Sequence, residues 1–154
     1  MRNILDLVAL LLAIHALAAG PAPPALSIGE VEIGATEDSV RGSLGEPAGF
    51  RETGEGTELY YPGLVVTVGW REPQGPKVPR RVIALSGTGF DACTPAGLCP
   101  GMPLAEVTRR YGAAEPVQRE NGAFFEYQPV GSHCWLQVRA SADPVYRVDV
   151  VCQP

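Results

Sequence analysis

A chain of 154 residues sets a soft expectation of one domain, or of two very small ones that share a core. Its 12 basic and 17 acidic residues leave a formal charge of −5, and Lys77 is the single lysine, which excludes a nucleic-acid partner because phosphate binding draws on clustered Lys and Arg. Charged residues make up only 19% of the chain, and 18 glycines with 15 prolines predict many turns and few long helices.

Residues 1–18 have the pattern of a signal peptide. Arg2 and the terminal amine precede the apolar run Leu7 to Ile14, and Ala16-Leu17-Ala18 offers the small-x-small site after which cleavage is expected. The run is shorter than the roughly 20 apolar residues a membrane helix needs, so no membrane span is expected after cleavage; a retained anchor is the competing reading. No cysteine precedes Cys93, so a lipid-modified N-terminus is not expected. Residues 19–27 begin with the Pro-rich AGPAPPA and predict a disordered lead. Leu26 to Ile33 alternates irregularly and reads as a short edge strand or a docked loop.

Thr36 predicts a helix N-cap, with Glu37 and Asp38 in the first turn, Val40 and Leu44 on one face, and Gly45 as the stop. Glu58 to Tyr61, Leu64 to Trp70 and Arg81 to Ser86 then alternate with period two and predict strands, with Pro62-Gly63 as a tight turn. A second stretch follows the same plan. Pro103 stands in a first helical turn, Leu104, Val107 and Tyr111 form an apolar stripe, and Gly112 stops it. Ala123 to Gln128, His133 to Arg139 and Val145 to Cys152 are the strand candidates that follow, and Asn121-Gly122 signals a hairpin whose first strand lies near Pro116 to Glu120. Gly34 matches Gly101, Val40 matches Val107, Gly45 matches Gly112 and Tyr60 matches Tyr127 at one offset of 67, which reads as a tandem duplication. The expected fold is α+β, with two tandem helix plus four-stranded antiparallel sheet units at 28–86 and 100–154, joined by a connector at 87–99.

An even cysteine count in an exported chain predicts disulfides. A hairpin turning around Ala142-Asp143-Pro144 sets opposite each other the positions whose numbers sum to about 286, as Cys134 and Cys152 do. The expected pairing is therefore Cys134 with Cys152 and Cys93 with Cys99. A zinc site is the competing reading, but these spacings lack paired close ligands. A reactive thiol at Cys134 beside His133 is the other, and neighbouring strand residues point to opposite faces.

The same register opposes Trp135 to Val151, Gln137 to Asp149 and Arg139 to Arg147. Two arginines face to face are mildly destabilising. Asp149, two positions from Arg147, is one compensation; an acidic partner surface anchored by Trp135 is the other, since Trp and Arg are enriched in binding hot spots. Trp70 with Arg71 and Arg81 suggests a similar group earlier in the chain. His133 is the single histidine left after residues 1–18, and no Gly-x-Ser-x-Gly, HExxH, phosphate-loop or dinucleotide motif occurs. No catalytic residue, metal or cofactor is expected.

The arrangement of Gly34, Val40, Leu44, Gly45, Tyr60, Arg81 and Val82, and then of Gly101, Val107, Tyr111, Gly112, Tyr127, Arg147 and Val148, resembles the small BamE/SmpA/OmlA-like envelope-assembly family, and in tandem form is similar to the β-lactamase inhibitory protein fold. The resemblance implies a periplasmic or secreted protein whose antiparallel sheet offers a surface to another protein. The expected function is an exported, non-catalytic protein-binding or envelope-assembly module. The alternatives are a secreted inhibitor of an extracytoplasmic enzyme, acting through the loop closed by Cys93 and Cys99, and a small hydrolase using paired carboxylates.

Overall fold

A computed structural model describes residues 26–70 and 78–153. The expected signal peptide, most of the expected lead, and Arg71 lie outside them. The first described element is a hairpin, β1 (Ser27–Ile28) and β2 (Val31–Glu32), turning at Gly29 with φ 57°. Ile28 and Val31 are fully buried, so the irregular alternation here encodes two inward residues on either side of a tight turn. Helix α1 (Glu37–Leu44) starts where Thr36 Oγ1 accepts the Ser39 N–H at 3.2 Å and stops at Gly45, φ 80°. Its one buried residue is Val40.

Strands β3 (Gly49–Glu52), β4 (Thr57–Tyr61), β5 (Leu64–Gly69) and β6 (Arg81–Gly87) follow as an antiparallel meander. Helix α2 (Ala105–Tyr111) buries Val107 and Tyr111, and its N-terminal end is capped from a distance: Leu104 N–H donates to Asp143 Oδ1 at 3.0 Å. Strands β7 (Val117–Arg119), β8 (Gly122–Tyr127), β9 (Cys134–Arg139) and β10 (Val148–Cys152) complete the chain. The order across the sheet is β3-β4-β5-β6-β10-β9-β8-β7.

This corrects the expected fold class. The molecule is mostly β, with one eight-stranded antiparallel sheet and the two-stranded hairpin, rather than two tandem helix plus four-stranded units. The physical reason is at β6 and β10. Each would expose a row of backbone donors and acceptors as an edge. They pair instead, Ser86 opposite Asp149 and Leu85 opposite Val150. One core results, with Val40 of α1, Val107 and Tyr111 of α2, Ile28 and Val31 of the hairpin, and Val66, Leu85, Leu136 and Val150 of the sheet in a single cluster. The tandem-repeat reading falls with it. Tyr60, matched by offset to Tyr127, turns the other way and donates its hydroxyl to Glu58 Oε2 at 2.6 Å. Tyr127 packs on the core and donates to Gly112 O at 3.0 Å, its ring 5.1 Å from that of Tyr111.

The stretch 87–99 lies against this core with Ala92 and Leu98 buried. Val145, expected to start a strand, is diverted: it donates to Met102 O and accepts from Gly101 N–H, so β10 begins only at Val148. Among the described residues no helix is long and apolar enough to cross a membrane.

Candidate binding face of the sheet

Alternation along the strands sends one set of side chains into the core and the other to the opposite face, which no described helix covers. On β9 the inward residues Cys134, Leu136 and Val138 are buried, while Trp135, Gln137 and Arg139 are half-buried on the far side. Trp135 stands opposite Val151 and Gln137 opposite Asp149. On β8 the same side carries Phe124, opposite Arg139, and Glu126, opposite Gln137.

A polar row crosses this face. Gln137 Nε2 donates to Glu126 Oε1 at 2.9 Å, Arg119 Nη2 bonds Glu126 Oε2 at 2.6 Å, and Arg147 Nε bonds Asp149 Oδ2 at 2.9 Å. Burial acts on both carboxyls but with opposite outcomes. It pushes the pKa of Asp149 above the usual aspartate range, and hydrogen bonds from Ser86 and Arg147 offset only part of that. For Glu126 burial also pushes upward, but the Arg119 guanidinium and the Gln137 amide outweigh it and hold the carboxyl below the usual range. The Trp135 indole N–H itself is buried and forms no hydrogen bond.

Around this row three guanidinium groups lie over aromatic rings: Arg119 over Trp135 at 5.6 Å, Arg139 over Phe124 at 4.9 Å and Arg147 over Tyr146 at 5.8 Å. Arg139 is held from three sides, because Nε donates to Tyr146 Oη at 3.0 Å and Nη1 to Asn121 O at 2.7 Å. Gly122 makes room for it: a Cβ there would overlap Arg139 Nη1. The expected opposition of Arg139 and Arg147 is corrected. The ladder between β9 and β10 ends at Gln137 and Asp149, short of Arg139 and Arg147, where Val145 bonds to Gly101 and Met102 instead; on its other side Arg139 stands opposite Phe124. Among the described residues Arg139 has neutral acceptors and no carboxylate within ion-pair distance.

The cysteines form two disulfides, Cys93–Cys99 and Cys134–Cys152. The second joins β9 to β10 at the Trp135 end of the face. The loop closed by the first is folded inward: Thr94 is buried, accepts from Leu98 N–H at 3.2 Å and from Tyr111 Oη at 2.6 Å, while Arg110 Nη1 donates to Ala96 O at 2.7 Å. His133 is exposed and lies just outside β9.

Trp70 is not part of the Trp135 group. It stands at the end of β5, 44% exposed, with its indole N–H donated to Val78 O at 2.9 Å. Arg81 is directed elsewhere, its Nη1 donating to Gly34 O at 2.8 Å. Sequence reasoning missed Arg119, Phe124 and Tyr146. The Asn121-Gly122 hairpin was the available signal for the first two, because a two-residue turn sets the register of both flanking strands. It also missed Val130, fully exposed at the tip of the turn between β8 and β9.

No protein-family model and no curated protein matches this sequence. Solved structures do resemble it. One is a cysteine-rich secretory protein from Staphylococcus aureus, with 11% identity and TM-score 0.53 over 79% of this chain and 43% of that one. Another is an extracellular protein containing an SCP domain from Bacillus anthracis, with 13% identity and TM-score 0.47 over 79% of this chain and 44% of that one. The chain thus spans less than half the length of either. The expected resemblance to BamE/SmpA/OmlA-like proteins and to the β-lactamase inhibitory protein fold is corrected accordingly: the neighbours are SCP-type secretory proteins, and the single eight-stranded sheet is not a BamE-like tandem repeat.

Proposed function

We propose that the protein is an exported, non-catalytic protein-binding module that meets its partner with the face of the sheet that no described helix covers, Trp135, Arg139 and Arg147 lying in the contact. The observation that carries this reading is the concentration of three arginine–aromatic pairs on that face. Rigid aromatic and guanidinium groups lose little conformational entropy on binding and dominate interface energetics. Arg139, pinned in place without a carboxylate, favours a partner that supplies one, so the partner surface is acidic. The outer strands favour face over edge as the docking surface: β3 and β7 are short and carry Arg51, Glu52 and Arg119, a composition that blunts strand addition.

Export is supported by the apolar leader with its small-x-small site, by two disulfides, which persist in oxidising compartments, and by the secretory character named for the Staphylococcus aureus neighbour. Periplasmic and secreted destinations both fit these features. The non-catalytic part of the reading rests on His133, which stands exposed just before β9 and makes no ion pair among the described residues.

The test is affinity capture from an envelope extract and culture medium with the mature, oxidised protein. One stoichiometric partner, released by Trp135→Ala and by Arg139→Ala but retained by Arg81→Ala, is the expected result. A partner indifferent to the first two substitutions overturns the face as the contact.

A further inference from the structure

We propose that the corner where the 53–56 loop meets the end of β5 is a receptor pocket for a lysine side chain presented by another polypeptide, with Trp70 as its wall and Glu55 as its counter-charge. The inference does not depend on the arginine-lined face binding a partner.

The construction of the corner starts from two glycines. A Cβ on Gly56 would overlap the Val68 carbonyl oxygen, and one on Gly69 would sit 2.9 Å from Ile83 Cδ1 and 3.0 Å from the Glu55 carbonyl. Only residues without a Cβ let loop and strand approach this closely. The loop is closed internally as well. Thr53 Oγ1 accepts from Glu55 N–H at 3.3 Å and Gly56 N–H at 3.2 Å, and Thr53 N–H donates to Gly56 O at 2.7 Å. The Glu55 backbone is thereby held against Gly69, and Glu55 lines the same hollow as Trp70, whose ring is oriented by its hydrogen bond to Val78 O.

Next to this wall lies a hollow of about 300 Å³, lined by Ile83, Ala84 and Val151, by Gly54, Glu55 and Trp70, and by Cys152 and Gln153. Glu55 is the one charged side chain in its lining, and among the described residues it forms no ion pair. A second hollow of about 430 Å³ shares Gly54, Glu55 and Trp70 but contains Arg80. Arg80 is committed to Glu37 at 2.7 Å and so does not pair with Glu55. An apolar floor, an exposed indole and a single carboxylate match an aliphatic stem ending in a compact point charge. Lysine has that shape, whereas the planar fork of arginine is suited to bidentate acceptors. The acidic balance of the whole chain, −5, favours approach of a cation.

The experiment is a titration of the mature protein, labelled with ¹⁵N, with Ac-Gly-Lys-Gly-NH₂ and with Ac-Gly-Nle-Gly-NH₂, whose norleucine has the stem without the charge. The chain has two tryptophans; the Trp70 indole resonance reports the wall of the pocket, and that of Trp135, across the ladder from Val151 of the floor, is followed as the second signal. The expected result is a saturable shift of the Trp70 signal by the lysine peptide, about tenfold weaker binding of norleucine, a similar loss in Glu55→Gln, and no binding in Trp70→Ala with the Trp135 signal unmoved. A Trp70 signal that does not move, norleucine binding as well as lysine, or Glu55→Gln without effect each overturns the proposal. Failure of the arginine-lined face to capture a partner leaves this result untouched.

Discussion

The two tryptophans occupy opposite electrostatic settings on one sheet. Trp135 is half-buried near the start of β9, covered by the Arg119 guanidinium at 5.6 Å, on the face that carries the carboxylate row. Trp70 is 44% exposed past the end of its strand, beside the hollow it shares with Glu55, which forms no ion pair among the described residues. The difference teaches that an aromatic acquires its role from what fixes it. At the Trp135 end side chains from three strands brace one another and leave positive charge facing out. At the Trp70 end two glycines bring backbones together and leave a cavity with a negative rim.

The largest effect that would break this contrast is removal of the disulfide. Cys134→Ser with Cys152→Ser is expected to cost about 3 kcal/mol in denaturant unfolding, and to disperse the Trp135 indole resonance before that of Trp70. Next come the tryptophans themselves. Trp135→Ala should destabilise by about 2 kcal/mol because its ring covers the cross-strand row, whereas Trp70→Ala should cost less than about 1 kcal/mol; comparable losses in thermal unfolding would erase the distinction. Gly56→Ala is expected to cost about 1–2 kcal/mol, since its Cβ meets the Val68 carbonyl, and to shift the Trp70 indole resonance while leaving Trp135 in place.

The smallest effect concerns pH. Asp149 has a raised pKa in the folded state, so its contribution to stability is greatest in acid and declines as pH rises through that value. Glu126 has a lowered pKa, and its contribution is present above the usual glutamate range and lost as pH falls through the folded value. Asp149→Asn should therefore gain stability relative to the parent between mild acid and neutral pH, while Glu126→Gln should lose it over the same rise. Chemical unfolding of both variants at pH 4 and pH 7 checks the opposite signs.

Much of the local structure was legible. Thr36 and Gly45 bounded α1, the Asn121-Gly122 turn placed β7 and β8, and the sum of 286 set Cys134 opposite Cys152, as the ladder between β9 and β10 has it. These signals lie within a few residues of each other or follow from a single hairpin. The four-residue β3, GFRE, was not legible, because its three exposed residues carry no inward alternation. The opposition of Arg139 and Arg147 was misread because Val145 hydrogen bonds near α2 rather than continuing the ladder. The hollow at Trp70 was invisible because it depends on Gly56 and Gly69 meeting across a loop.

By itself the sequence determined the caps, turns, strand alternation and disulfide-compatible register of this protein, since each depends on backbone preferences and on neighbours two to four positions apart. Only the tertiary structure decided that β6 and β10 fuse eight strands into one sheet over one core, and thereby which side chains share the face away from the described helices. Pairing of two distant edges leaves no local signature. It is favoured because both edges satisfy their backbone hydrogen bonds and bury Leu85, Val148 and Val150 together.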